Sequence, residues 1–248
     1  MVKLIAADLD GTLMPYGRRE ISNTVTGLIS EALDRGLSFA VSSGRTYSEL
    51  KRLFPSLQDR IYFIACDGAC CIKGDRLLYG RHISREDIAF FAGRGQTAPC
   101  IFHGAGEDFA FGDIPEEYRE AHRPVGIDRI SALPVGARIY KITSFARPLR
   151  LPMYTGMRLH WNDAETGDTT QYVSRFCNKG AALSDLENRL FLSGLDTAVI
   201  GDADNDLPMF RGAKLSFAVG SRSEKLLAVA THKVRCAEEA LRYILATL

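Results

Sequence analysis

Short apolar runs alternate with helix-like segments at both ends of this chain, and this alternation constrains the fold more than any other feature. The apolar runs of strand length lie at residues 3–7, 37–41, 61–65, 196–200 and 214–219. The segments with helical patterns or helix boundaries lie at residues 22–36, 46–54, 179–192, 205–211, 222–230 and 237–247. Strands that alternate with helices form a parallel sheet covered by helices on both faces. The sequence therefore predicts an α/β fold with one parallel sheet built from both ends of the chain.

The middle of the chain follows a different pattern. After a predicted hairpin at 69–79, helices are predicted near 84–93 and 115–121. Short strand-like pieces separated by Gly- and Pro-rich turns lie at residues 100–103, 108–111, 138–143, 157–161 and 169–173. This is typical of an inserted α+β domain. We predict a discontinuous core domain from residues 1–81 and 177–248, and an inserted domain from residues 82–176.

Composition excludes several classes of partner. The chain of 248 residues has a formal net charge of +1, which gives no electrostatic basis for binding nucleic acid or an acidic membrane surface. No segment approaches about 18 uninterrupted apolar residues, so no membrane span is expected. The six cysteines form no C-x-x-C pair and are expected to be reduced. We expect a soluble, cytoplasmic protein, and the sequence indicates no protein partner.

The motif Asp8-Leu9-Asp10-Gly11-Thr12 comes directly after the first predicted strand. Ligands of open parallel sheets bind at the carboxyl ends of the strands, so both carboxylates are expected there. An Asp carboxylate can attack phosphorus and form an aspartyl phosphate, which divides one difficult displacement into two easier ones. The simpler alternative is a solvated turn between a strand and a loop.

A second acidic motif, Gly201-Asp202-Ala203-Asp204-Asn205-Asp206, follows another apolar run. Three carboxylates this close repel one another unless a cation neutralises them. An EF-hand calcium loop is excluded, because Leu207 stands where that loop needs Gly and Ala213 where it needs Glu. A few oxygen ligands completed by water and substrate phosphate suit Mg²⁺.

Two weaker features lie at the predicted ends of other elements. Ser42-Ser43-Gly44-Arg45 follows the second strand, where a hydroxyl and backbone N–H groups can contact a phosphate. A simple helix N-cap is the alternative explanation for this motif. Lys179-Gly180 begins a predicted helix, and a lone lysine carries little weight alone.

Together, these four motifs resemble, in their order, those of the haloacid dehalogenase (HAD) superfamily. The resemblance implies a Rossmann-like core, a phosphorylated nucleophile at Asp8 and a general acid/base at Asp10. Ser43 and Lys179 would hold the phosphoryl oxygens, with Gly44 and Arg45 beside them in the substrate site. The implied cofactor is Mg²⁺, bound by the carboxylate of Asp8, the backbone carbonyl of Asp10 and Asp202, with Asn205 or Asp206 in direct or outer support.

The intervals between the motifs narrow the resemblance to the C2-capped, Cof-type (IIB) group of sugar-phosphatase-like proteins. The interval from Ser43 to Lys179 is far longer than the core needs, so residues 82–176 are expected to be the cap. The segments 63–69 and 138–142 resemble that group, although Asp67 stands where Asn is usual and the cap is shorter. The cap residues considered for selectivity are Arg123, Lys141, His160 and Trp161.

The resulting hypothesis is a Mg²⁺-dependent phosphatase acting on small phosphorylated metabolites, with sugar phosphates as the expected class. A phosphomutase of the phosphomannomutase type is the enzymatic alternative, and a non-catalytic protein that binds a phosphorylated metabolite is the other. A nucleotide-dependent dehydrogenase is poorly supported, because Gly104-Ala105-Gly106 lacks the third glycine of a dinucleotide-binding loop.

Overall fold

The computed structural model describes residues 1–93, 98–162, 168–221 and 223–248, with the backbone alone at 161 and 162. Most of the described strands belong to one sheet of eight strands, ordered β14-β13-β12-β1-β2-β3-β4-β5. These strands are β1 Leu4–Asp8, β2 Ser38–Ser42, β3 Tyr62–Ala65, β4 Cys70–Lys73, β5 Arg76–Gly80, β12 Thr197–Gly201, β13 Leu215–Val219 and β14 His232–Val234. All neighbours pair in parallel except β3–β4 and β4–β5, which are antiparallel. The β4–β5 pair is the predicted hairpin.

Helices cover both faces of this sheet. The described helices are α1 Asn23–Asp34, α2 Tyr47–Leu53, α3 Arg85–Gly93, α4 Glu116–His122, α5 Lys179–Arg189, α6 Leu207–Phe210, α7 Glu224–Val229 and α8 Ala237–Ala246. Ser22 caps α1 by accepting a hydrogen bond from the backbone N–H of Val25. One apolar cluster joins α1, α2 and α8 to one face of the sheet, and another joins α5, α6 and α7 to the opposite face. The central strands are therefore buried on both sides, as their continuous apolar sequences require.

The middle of the chain forms a second sheet of six strands, ordered β10-β11-β9-β6-β7-β8. Its strands are β6 Cys100–His103, β7 Asp108–Phe111, β8 Val125–Ile127, β9 Lys141–Ser144, β10 Met157–Asn162 and β11 Thr170–Ser174. Pairing is antiparallel except between β7 and β8. Its largest apolar cluster lies between this sheet and α3, where Phe91 contacts Phe102 and Tyr172 edge-on.

The predicted α/β class with an inserted α+β segment is confirmed, and the differences are local. Strands β8 and β14 were not predicted, because each has three residues and no alternating pattern. The helix predicted at 205–211 is instead a 3-10 turn at Asp204–Asp206 followed by α6, with Pro208 in its first turn. The predicted start of a helix at 222 lies outside the described residues.

The division into domains remains a proposal that the sheets support. Every strand of the six-stranded sheet lies between β5 and α5 in the chain. We propose that residues 1–81 and 177–248 are the core and residues 82–176 the cap, and these two names are used below. Among the described helices, none has both the length and the apolar character required to cross a bilayer.

Strand register determines where the acidic motifs meet. Asp8 at the end of β1 pairs with Ser42 at the end of β2, and Ala7 pairs with Ile200 of β12 on the other side. The carboxyl ends of three adjacent parallel strands therefore lie at one edge of the sheet. The loops that leave these strands carry three of the four motifs. The fourth motif begins α5, whose Lys179 contacts Asp8 at the end of β1.

Candidate active site

Lys179 lies at the centre of the site, buried between two carboxylates. Its ammonium donates to Oδ1 of Asp8 at 2.6 Å and to Oδ1 of Asp206 at 2.7 Å. All three side chains are almost completely buried, with Lys179 1% exposed and Asp206 0%. The first residue of α5 thus joins the ends of β1 and the loop after β12.

The acidic side chains of this cluster outnumber its single lysine. Burial raises the pKa of Asp8 above its usual range, and the carboxylates of Asp206 and Asp202 raise it further, whereas Lys179 opposes them. Burial disfavours the ammonium of Lys179, yet Asp8 and Asp206 outweigh it and raise the pKa of Lys179. One lysine is held as a cation, and it cannot neutralise three carboxylates.

Asp202 completes the acidic group on the solvent side. Its two oxygens accept hydrogen bonds from the hydroxyls of Thr12 and Tyr16, each at 2.9 Å. Gly11 permits this approach: its φ is +86°, and a Cβ there would lie 2.4 Å from Oδ2 of Asp202. Carboxylate oxygens of Asp8, Asp202 and Asp206 lie within 4.8 Å of one another. An all-oxygen set with excess negative charge fits a hard divalent cation such as Mg²⁺.

The four polar residues of the loop at 202–206 point in different directions. Oδ2 of Asp206 accepts from the backbone N–H groups of Asp202 and Ala203, at 3.0 and 3.2 Å, so this carboxylate holds the loop together. Asp204 turns outward to the hydroxyl of Ser223 and the ammonium of Lys225. The side chain of Asn205 is exposed.

Asp10 and Arg45 form a bidentate ion pair across the mouth of the site. Nη2 of Arg45 donates to Oδ1 of Asp10 at 2.6 Å, and Nε donates to Oδ2 at 2.9 Å. This fork fixes the plane of the carboxylate. The hydroxyl of Ser43, 1% exposed, accepts from the backbone N–H of Arg45 at 3.2 Å. The motif after β2 therefore has two roles: Arg45 orients Asp10, and Ser43 faces the site.

A cavity of about 250 Å³ lies between the core and the cap beside Asp10. It is lined by Asp10, Gly44, Arg45, Glu49, Tyr118, Lys141 and Gln171. Lys141 of the cap donates to the backbone oxygen of Gly44 at 3.3 Å. His160 of the cap lies so close that a Cβ on Gly44 would be 2.8 Å from its Nε2. The cap therefore packs directly on the loop that follows β2.

Asp67 connects the core to two basic groups of the cap. It lies after β3 in the left-handed region, with a φ of 56°. Its Oδ2 accepts from the guanidinium of Arg158 and lies 3.4 Å from Nδ1 of His160. Burial opposes its ionisation, but His160 and Arg158 prevail and lower the pKa of Asp67.

The structure brings most of the residues predicted from the sequence to one place. Asp8, Asp206 and Lys179 form the buried cluster, and Asp202, Asp10, Ser43, Gly44 and Arg45 lie beside it. Asn205 lies in the same loop with an exposed side chain. Of the cap residues considered, Lys141 and His160 contact the site loop, while Arg123 lines a separate cavity. The side chain of Trp161 lies outside the described residues.

Sequence reasoning missed several residues that contact this region. They are Tyr16, Glu49, Tyr118, Arg158 and Gln171. Glu49 could have been identified from the sequence, because Thr46 and Glu49 have the spacing of a helix capping box. That capping box is present in the structure. The other four carried no such signal, because each reaches this region by a contact between segments far apart in the chain.

Comparisons with known proteins indicate the family of this chain. The haloacid dehalogenase-like hydrolase family matches residues 5–241. The HMP-PP phosphatase of Yersinia enterocolitica serotype O:8 / biotype 1B is 25% identical over 91% of this chain and 86% of its own length. The 5-amino-6-(5-phospho-D-ribitylamino)uracil phosphatase of Escherichia coli (strain K12) is 20% identical over 94% of this chain and 90% of its own.

Solved structures show the same fold at low identity. A HAD subclass IIB sugar phosphatase superposes with a TM-score of 0.74 at 19% identity, covering 98% of this chain and 99% of its own. Because the family match spans nearly the whole chain and includes all four motifs, this protein belongs to the haloacid dehalogenase-like hydrolases.

Proposed function

We propose that this chain is a Mg²⁺-dependent phosphatase that hydrolyses small phosphorylated metabolites through an aspartyl phosphate on Asp8. The observation that carries the proposal is the buried cluster of Asp8, Lys179 and Asp206 beside Asp202 at the strand ends. Burial of charged groups is costly, and a purely structural core would be expected to use apolar side chains at these positions. It supplies a nucleophile and a fixed cation where a phosphoryl group can enter.

In the proposed reaction, a carboxylate oxygen of Asp8 attacks phosphorus while the ester P–O bond breaks. Asp10 donates a proton to the leaving oxygen, so the alcohol leaves neutral. The carboxylate of Asp10 then takes a proton from water, which attacks the aspartyl phosphate and releases phosphate. Arg45 holds Asp10 by two hydrogen bonds and thereby keeps its carboxylate aimed at the cavity.

Positioning and charge neutralisation supply most of the catalysis in phosphoryl transfer. Lys179 would hold a phosphoryl oxygen next to Asp8, and Ser43 would hold another from the end of β2. Mg²⁺ would be bound by the carboxylates of Asp8 and Asp202 and the backbone carbonyl of Asp10, with Asn205 or Asp206 in direct or outer support. The bound ion would neutralise charge on the transferring phosphoryl group.

The size and lining of the cavity support a small, polar substrate. Its volume of about 250 Å³ is below that of common drug-sized pockets. Lys141, Gln171 and Glu49 present polar groups to it, which suits hydroxyls such as those of a sugar phosphate. The relatives described above are named for phosphorylated metabolites, which supports the same class.

The test is release of phosphate from an aryl phosphate and from a panel of sugar monophosphates. We expect activity with Mg²⁺, loss on treatment with a chelator and recovery when Mg²⁺ is returned. Asp8→Asn should be inactive, and Asp10→Asn should lose about 10²–10⁴-fold in kcat. Phosphate that stays on the sugar in a new position would indicate the mutase instead. Full activity of chelated protein would refute the role of the metal.

A further inference from the structure

A second cluster of potential metal ligands lies in the cap, outside the proposed catalytic centre. Oδ2 of Asp108 lies 3.0 Å from Nδ1 of His103 and 3.1 Å from Nδ1 of His122. The three donor atoms lie within 4.8 Å of one another. His103 ends β6, Asp108 begins β7 and His122 ends α4, so one point joins three elements.

Two of the three donor separations are close to those of a tetrahedral site. Zinc bonds of about 2.0–2.1 Å imply about 3.3 Å between neighbouring ligand atoms. The two nitrogen–oxygen separations, 3.0 and 3.1 Å, are slightly shorter, so these two pairs need only a small expansion. Two imidazoles and a carboxylate are a donor set that Zn²⁺ and neighbouring transition metals accept.

The surroundings provide the outer contacts and the access that a metal site needs. Nε2 of His103 lies 2.9 Å from Oγ1 of Thr143, a partner that can accept the ring N–H once Nδ1 binds a metal. Oδ1 of Asp108 accepts from the backbone N–H of Gly104 at 3.2 Å. A cavity of about 350 Å³ between core and cap has Asp108 and His122 on its wall, which gives an ion a path inward.

The protonation states favour binding as well. Burial lowers the pKa of His103, leaving the neutral imidazole that a metal requires. Burial opposes ionisation of Asp108, but His103 and His122 outweigh it and lower the pKa of Asp108, which is therefore a carboxylate. The proton on Nδ1 of a neutral ring moves to Nε2 when the metal takes its place, so no net proton release is needed there.

We propose that His103, Asp108 and His122 bind a first-row transition-metal dication, with Zn²⁺ as the best fit, at a structural site in the cap. A metal here would attach α4 to β6 and β7. Because α4 also carries Tyr118, which lines the catalytic cavity, the site would hold one wall of that cavity in place.

The experiment uses Co²⁺ as a spectroscopic probe on the full chain after chelator treatment. Nitrogen ligands and low coordination give Co²⁺ visible absorption stronger than that of the oxygen-only group at Asp8, Asp202 and Asp206. We expect about one equivalent of Co²⁺ to produce these bands, and Zn²⁺ to abolish them and to raise Tm. The bands should persist in Asp202→Asn, which alters only the acidic group of the core.

The decisive variant is His122→Asn, whose amide can still donate to Asp108 but is a poor metal ligand. It should lose the bands, with at least about tenfold weaker Zn²⁺ binding, and its Tm without metal should stay near that of the wild type. Thr143→Val should weaken binding about tenfold by removing the partner of His103. His82→Asn, at an exposed histidine outside the cluster, is the matched control.

Two results would overturn the proposal. Unchanged bands in His122→Asn would place the ion elsewhere, and absence of any band that Zn²⁺ displaces would show that the cluster is a hydrogen-bonded network only. Both outcomes leave the phosphatase assay unaffected, so the proposed function stands or fails separately.

Discussion

Lys179 is a fully buried ammonium, and its two hydrogen bonds explain how the core tolerates adjacent carboxylates. An isolated buried charge is very unfavourable, but Asp8 and Asp206 each accept from it at distances below 2.8 Å. Removal of one of these carboxylates leaves Lys179 with a single charged hydrogen-bond partner. At the scale of single residues, Lys179 and Asp206 therefore serve both the fold and the proposed chemistry.

The structural role of Asp206 can be tested against Asp204, which lies in the same loop after β12 but faces outward. We predict that Asp206→Asn lowers the free energy of unfolding by about 3 kcal/mol or more and abolishes activity. Lys179 loses a charged partner, and the single amide oxygen cannot accept from both Lys179 and the two backbone N–H groups. Asp204→Asn should leave stability almost unchanged, since its ion pair with Lys225 is exposed. Urea denaturation of both variants checks this, and equal losses would contradict it.

At the scale of elements, α2 is fixed by a capping box whose acid also faces the cap. The hydroxyl and backbone N–H of Thr46 donate to Oε2 of Glu49 at 2.7 and 2.8 Å. Burial opposes ionisation of Glu49, but Lys141 and then Thr46 prevail and lower its pKa from 4.5 to about 2. This acid therefore stabilises the folded chain only when it is ionised.

The sign of the resulting pH dependence follows from that lowered pKa. Glu49 contributes stability that is fully present above pH 4.5 and is lost as pH falls toward about 2. We predict that Glu49→Gln is about 1–2 kcal/mol less stable than the wild type at pH 6, and that this gap narrows steadily between these two pH values. Urea denaturation across this range measures it. A gap that is constant with pH would show that Glu49 acts only as an uncharged cap.

Strand β10 is linked to the core by the charge of Asp67. We predict that Asp67→Asn raises KM about three- to tenfold and makes it less sensitive to salt, because Arg158 and His160 lose their ionic partner in the core. Steady-state kinetics over a range of ionic strength test this. Asp34→Asn, in an exposed ion pair with Arg60, is the control and should leave KM unchanged.

At the scale of the whole molecule, selectivity depends on the space that remains between core and cap. We predict that kcat/KM for a sugar monophosphate exceeds that for a bulky nucleotide by at least about tenfold, because the cavity of about 250 Å³ excludes the larger group. Gln171→Ala, which removes part of the cap wall, should reduce this ratio. Equal rates on both esters with the unaltered protein would show that the cap does not select by size.

Much of this molecule follows from local sequence. Apolar runs of strand length predicted the central parallel strands. These strands are buried on both faces, and this is why their sequences are apolar throughout. Asp8 and Asp202 could be placed at the same edge because parallel strands expose their carboxyl ends together. Ser22 and Gly36 indicated where α1 begins and ends, because the unpaired backbone groups at helix ends need specific partners.

Other features exist only in the tertiary structure. No spacing reveals that Asp10 pairs with Arg45, that Asp204 turns outward while Asp206 turns inward, or that Asp67 meets Arg158. Each depends on contacts between segments far apart in the chain, and the direction of a side chain is set by what packs against it. Sequence by itself determined the fold class and the edge of the sheet where the acids gather. The tertiary structure decided which of those acids face the lysine, because burial and charge balance are properties of the assembled site.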